Sequence, residues 1–333
     1  MSEVRVIDPI AVGDSWGGFP DAPMLDTNVS ETTGPYAVPL YDAATTYGLG
    51  LRCTGVTLYI DPGMGGPMTY VSNHKIYESL QAANTGNDPA TSPAWWIVVG
   101  PTNQWAPFDQ SISTATLIDS GTIGTAYWKF NVSKRVSAVA FIGLKNARSY
   151  RVQLSTSGGA VAFNRARLIT PLPAASTWYA WCFGARKETT QVIVDDLPLS
   201  APGAALEVWV EAITGVGEIG QIVFGELSKI GTGAEYGARI GTIDFSVKST
   251  TAFGDTTIKV QKKARKASVT TAVPAGEVDR TEALLETLQS KATVWLLSNQ
   301  YDRLTIYGFL KSYDTTIAYT TSSTRQLEIE GLT

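Results

Sequence analysis

The chain has 333 residues, 44% hydrophobic and only 17% charged, with a net charge of −4. That length accommodates two or three domains around real apolar cores. The mild acidic balance argues against a specific nucleic-acid partner, and no run of roughly 18 apolar residues is present to cross a membrane as a helix.

A single histidine, His74, argues against a His-based triad or metal site. The two cysteines, Cys53 and Cys182, lie far apart and lack metal-ligand spacing, so reduced, partly buried thiols are expected. The opening MSEVRVIDPI has neither a basic n-region nor an apolar h-region, so no export signal is expected. No cofactor is expected either. Gly215, Gly217 and Gly220 follow a dinucleotide-like spacing, but with strand signals on both sides they read as a hairpin turn.

Four segments follow along the chain. Residues 1–35, with Trp16-Gly-Gly-Phe-Pro20, read as an irregular N-terminal arm. Residues 36–117 are short, turn-rich and aromatic. Residues 118–229 carry repeated strand signals. In Leu206-Glu-Val-Trp-Val-Glu-Ala212 the apolar Leu206, Val208, Val210 and Ala212 share one face, and Glu207, Trp209 and Glu211 the other. Runs at 136–142, 150–154, 191–194 and 219–224 are comparable, which points to a β-sandwich or jelly roll. Asp195 and Asp196 are adjacent, so on an extended chain they face opposite ways and do not form a dyad. A turn role competes with a calcium site whose other ligands are not visible.

Residues 230–333 show strand signals at 243–248, 256–261, 268–273, 294–297, 304–310 and 326–329, interrupted by one amphipathic helix at 280–289. Asp279 and Glu282 have the spacing of a capping pair, and Leu284, Leu285 and Leu288 form its apolar stripe. The basic run Lys262-Lys-Ala-Arg-Lys266 lies between two strand signals and reads as a hairpin tip. It is either simply solvated or, through Lys262, Lys263, Arg265 and Lys266, a contact with an acidic neighbouring subunit. DNA is a third option. The expected fold is therefore mainly β and multidomain. It comprises a small aromatic β module (36–117), a jelly-roll or galactose-binding-like sandwich (118–229) and a C-terminal β-sandwich with one helix (230–333).

Three stretches resemble known families. The order Tyr41…Tyr47-Gly, Lys75-Ile-Tyr77-Glu-Ser-Leu80, Asn84-Thr-Gly-Asn-Asp-Pro89, Trp95-Trp96 resembles small chitin-binding modules. It departs from them in having Gly48-Leu-Gly-Leu51 after the tyrosine turn and an insertion containing Asp61–Pro67. The resemblance implies that Tyr77, Trp95 and Trp96 stack on sugars; the same rings also suit the core of so small a module. Trp209, between two glutamates, is a further candidate platform. Gly100-Pro-Thr-Asn103-Gln-Trp105-Ala-Pro-Phe108-Asp109 resembles a stretch of tailed-phage minor structural proteins that leads into a jelly roll. Leu304–Leu310 and Leu327–Leu332 resemble the last strands of distal tail and hub proteins.

These resemblances imply a structural protein of the virion tail tip or baseplate, made in the host cytoplasm. Its partners would be copies of itself in a ring, a hexamer or a trimer, together with the tail tube, hub and fibres, and no membrane or specific nucleic acid. Carbohydrate-binding host recognition is the alternative function. A glycan-degrading enzyme would need two carboxylates flanking a bond, and nothing in the sequence selects such a pair.

Overall fold

A computed structural model describes residues 3–14, 21–59, 69–119, 121, 124–169, 177–183, 189–213, 215–235, 237–250, 253–298, 301–317 and 319–332. The Trp16–Pro20 stretch and the Asp61–Pro67 insertion lie outside them. The chain is mainly β, in several sheets, as expected.

A six-stranded sheet has the order Val161–Leu168, Ala147–Ser155, Ala204–Ala212, Thr125–Val132, Ala22–Thr27, Val12–Asp14. Two of its strands, Thr125–Val132 and Ala204–Ala212, keep strict alternation. Ala126, Trp128, Phe130 and Val132 point inward, as do Leu206, Val208, Val210 and Ala212. They meet Val139, Phe141, Ile222 and Phe224 of a second, nine-stranded sheet to make the largest core. Strand Ala138–Ile142, all apolar, is buried throughout, because its other face packs with Ile7, Val294 and Tyr307. A strand covered on both faces needs a continuous apolar run rather than alternation.

The nine-stranded sheet joins the two larger parts of the chain. Its order is Gln191–Val194, Ala138–Ile142, Gln221–Gly231, Val4–Pro9, Thr293–Leu296, Thr305–Thr316, Ser322–Gly331, Lys263–Pro274, Arg239–Asp244. Strand Val4–Pro9 sits at the centre, antiparallel to Gln221–Gly231 on one side and to Thr293–Leu296 on the other. The expected arm is thus corrected. Val4 and Val6 enter the C-terminal core with Trp295, Leu310 and Ile329, while Ile7 enters the cluster of Ala140 and Tyr307. The close approach is possible because residue 225 is glycine: a Cβ there would lie 1.8 Å from the Asp8 carbonyl oxygen. Sequence separation hid this pairing; Val4-Arg-Val-Ile7 alone does not say whether a strand is central or peripheral.

In the C-terminal part, helix Val278–Leu288 lays Leu285 and Leu288, both fully buried, on the sheet. It starts earlier than the pattern suggested, and the expected capping pair does not form: Glu277 is the N-cap and no side chain caps it. Glu282 instead faces the sheet. Its Oε1 accepts from Nη2 of Arg325 at 2.7 Å and from the Thr315 hydroxyl at 2.5 Å. Arg325 has no exposed surface and also donates to Thr281 and Thr315. Burial pushes the Glu282 carboxyl up, but the Thr315 hydroxyl and the Arg325 charge outweigh it and hold it below the usual carboxylate range. One buried arginine thereby fastens the helix to strands Thr305–Thr316 and Ser322–Gly331.

A three-stranded sheet, Arg52–Tyr59, Thr69–Ser79 and Trp96–Pro101, forms the small module. Finally, Val247–Thr250 and Thr256–Lys259 pair as a separate two-stranded ribbon, every residue of which is exposed.

Candidate functional site

The aromatic segment folds into a core. Tyr47, Cys53, Tyr77 and Trp96 form one buried cluster, with Tyr41 and Trp95 packed against it. Tyr47 lies 5.0 Å from Trp96 in an edge-to-face contact and 5.8 Å from Tyr41 in a stacked one. The Trp96 indole donates to the Asn87 carbonyl, Asn87 donates to Asn84, and Asn84 donates to the Ser79 hydroxyl. The Asn-Thr-Gly-Asn turn is therefore a polar clasp around the core. Tyr77 and Trp96 have no free ring face, which corrects their nomination as stacking residues; only Trp95 keeps partial exposure. Burial pushes the Cys53 thiol up to about 12, so it stays protonated, while Cys182 is exposed.

The connector 100–109 is a second clasp. Asn103 takes both backbone groups of Leu117, accepting from its N–H at 2.7 Å and donating to its carbonyl at 3.1 Å. Fully buried Gln221 donates to Asp109 at 2.7 Å and to the carbonyls of Ala106 and Ser111. Phe108 packs edge-on against Trp128 and Phe130. This connector thus plugs the module's last strand into the sandwich core.

His74 adds a third tie. It sits within strand Thr69–Ser79 at φ +61°, an uncommon backbone conformation for a side-chain-bearing residue. Its Nδ1 lies 2.6 Å from Glu31, and its ring stacks on Trp105 at 4.2 Å. Thr102 donates to the same Glu31 oxygen. Burial raises the Glu31 carboxyl, but its bonds from His74, Thr102 and Ser72 and the His74 charge carry it below the ordinary 4.5. A carboxyl lowered on folding contributes stability above its unfolded value and loses it as pH falls through the folded one. Glu31→Gln should therefore destabilise the protein by about 1–2 kcal/mol at neutral pH. In denaturant titrations the gap from the parent chain should shrink as pH falls below 4.5; a gap independent of pH would refute the assignment.

Trp209 lies on the outer face of the six-stranded sheet, as alternation predicts, but its ring is already sandwiched. Tyr127 stacks on it at 5.0 Å, and the Arg151 guanidinium sits 4.6 Å from its centroid. Burial and the neighbouring Glu207 and Asp26 push the Tyr127 hydroxyl up to about 12. Asp195 and Asp196 separate as expected, pairing with Arg5 and with Arg165 respectively. Both serve as structural ties.

What the sequence reading missed is helix Trp178–Phe183, between the strands Val161–Leu168 and Gln191–Val194. Trp178, Tyr179 and Phe183 are each more than 70% exposed. The signal was available: an apolar Trp-Tyr-Ala-Trp-Cys-Phe run beyond Pro171 and Pro173 that fits no strand alternation.

The basic run is also placed differently. Lys263, Arg265 and Lys266 belong to strand Lys263–Pro274, opposite Asp244, Thr242 and Gly241, and Lys262 directly precedes it. The true hairpin is the ribbon just before. Around it Phe245, Val247, Phe253, Ile258 and Val260 are all exposed, Phe253 by 95%. Strand Arg239–Asp244 is the outermost of its sheet and leaves one backbone edge open. Among the described residues, no group of three or more His, Cys, Asp or Glu is placed to hold a metal ion. Among the same residues, no helix is long and apolar enough to cross a membrane.

No family model and no curated protein matches the chain. Weak likenesses exist among solved structures. An F5/8 type C domain from Bacteroides fragilis is 14% identical, with a TM-score of 0.24, over 37% of this chain and 80% of its own. The Clostridium perfringens module GH89CBM32-5, solved with GalNAc-β-1,3-galactose, is 9% identical at 0.24, over 36% and 81%. GH89CBM32-6 of the same organism is 14% identical at 0.23, over 38% and 84%.

Proposed function

We propose that the chain is a non-enzymatic structural component of a phage tail tip or baseplate, similar to distal tail proteins, that assembles with copies of itself and with other tail proteins in the virion. The observation that carries this reading is the placement of its exposed apolar side chains. In the C-terminal part, Phe253 and Val260 beside the ribbon, and Ile317 and Tyr319, are each at least 70% exposed. Gathered apolar surface marks contact with a partner. The body beneath is one continuous sheet across both larger parts, which suits a scaffold. Residues 304–332, which resemble the ends of distal tail proteins, supply two of that sheet's longest strands. The deciding measurement is solution mass by light scattering over a range of concentrations. Assembly should give a defined multiple of 35.6 kDa, and a lone monomer throughout would overturn the reading.

Glycan binding is the second reading, and one observation favours it: Trp178 and Tyr179 present exposed rings. A glycan array should then show binding that Trp178→Ala and Tyr179→Ala abolish. An array without binders removes this reading.

A further inference from the structure

We infer that the ribbon formed by Val247–Thr250 and Thr256–Lys259 is an electropositive arm that grips the acidic body of a second copy of this chain. The inference rests on the assembly reading above and gives it a surface.

A two-stranded ribbon is marginal in water unless something covers it. This one is exposed on both faces over all eight paired residues. The register puts Val247 beside Lys259 on one face and Ile258 beside Lys248 on the other. Each face therefore offers one apolar group and one cation, and Phe253 stands at the turn. Such a ribbon fits a site that touches it from both sides.

Residues 239–266 contain Arg239, Lys248, Lys259, Lys262, Lys263, Arg265 and Lys266 against only Asp244 and Asp255, a net of +5. The whole chain carries −4, so the remainder carries −4 − 5 = −9. Asp244 lies 4.0 Å from Lys263 and accepts from the Ser246 N–H. The acidic remainder of another copy is thus a complementary surface, and opposite potentials select partner and register.

The same numbers disfavour ribbon against ribbon, which would set +5 facing +5. Ribbon against body sets +5 against the acidic remainder. That contact can be reciprocal in a two-fold dimer or repeated in a ring.

The test uses the full-length protein and two variants altered only at exposed positions, Phe253→Asp and the triple Lys259→Glu, Lys262→Glu, Lys263→Glu. Circular dichroism and melting temperature should match the parent in both. Mass is read by light scattering at roughly 0.05 M and 0.5 M salt, where screening differs severalfold in range. The parent should be oligomeric and looser at high salt, and each variant should weaken association at least about tenfold. Oligomers that ignore both variants would overturn the ribbon inference while leaving the assembly reading intact. A monomer under every condition would overturn both. A monomer that shifts a DNA duplex, with the shift lost in the charge reversal, would overturn the inference in favour of nucleic acid.

Discussion

Replacing Arg325 with alanine should cost about 3 kcal/mol of folding stability, a large share of the roughly 5–15 kcal/mol that a native protein commands. The guanidinium is completely enclosed, and three of its contacts are specific: Thr315, Thr281 and Glu282. Its removal leaves a cavity and takes the positive charge away from a carboxylate that is only 28% exposed. Thr281 loses less, because its hydroxyl also donates to the carbonyls of Glu277 and Val278. The penalty therefore falls mostly on Glu282. A double replacement, Arg325→Met with Glu282→Leu, removes both charges together and should recover much of the loss. Equilibrium denaturation of the three variants measures this directly. A single-variant loss below about 1 kcal/mol would show that the pair contributes no more than a surface ion pair does.

The second large effect concerns strand Val4–Pro9. Val6 is fully buried in the C-terminal core, at the centre of the nine-stranded sheet. Val6→Asp forfeits the burial of an isopropyl group and places a carboxylate in an apolar cluster, a combined cost of at least about 4 kcal/mol. Because the strand is hydrogen-bonded both to Gln221–Gly231 and to Thr293–Leu296, the damage should reach both larger parts at once. Thermal melts should show one transition moved down as a whole, with no surviving high-temperature component. Leu199→Asp, at a position 66% exposed, is the control and should stay within about 0.5 kcal/mol of the parent. If the variant retained a transition at the parent's temperature, the two parts would be independent folding units.

The features legible in the sequence were those that depend on near neighbours. Period-two alternation in 206–212 placed Leu206 and Val208 inward and Trp209 outward, as found. The Leu285–Leu288 stripe located the helix. What was not legible depended on partners far along the chain. Glu282 has the spacing of a capping residue, and only the position of Arg325, 43 residues on, diverts it. Tyr77 and Trp96 have the composition of a sugar platform, and only their mutual packing with Tyr47 uses up their faces. The basic run sits between strand signals, and its place within a strand was decided by pairing with Arg239–Asp244.

The central strand also carries a consequence for the order of events during synthesis. Val4–Pro9 is translated long before Thr293–Leu296, its partner on one side. At about 5–20 residues per second, roughly 15–60 s separate the two on the ribosome. For most of that interval neither partner has been made, because Gln221–Gly231 also lies far along the chain, and the strand's backbone groups are open to any extended chain nearby. Contacts this distant in sequence slow folding, because the loop must close before they reward it. The nascent protein therefore has a window of vulnerability to mispairing, which ends only when the last quarter of the chain emerges.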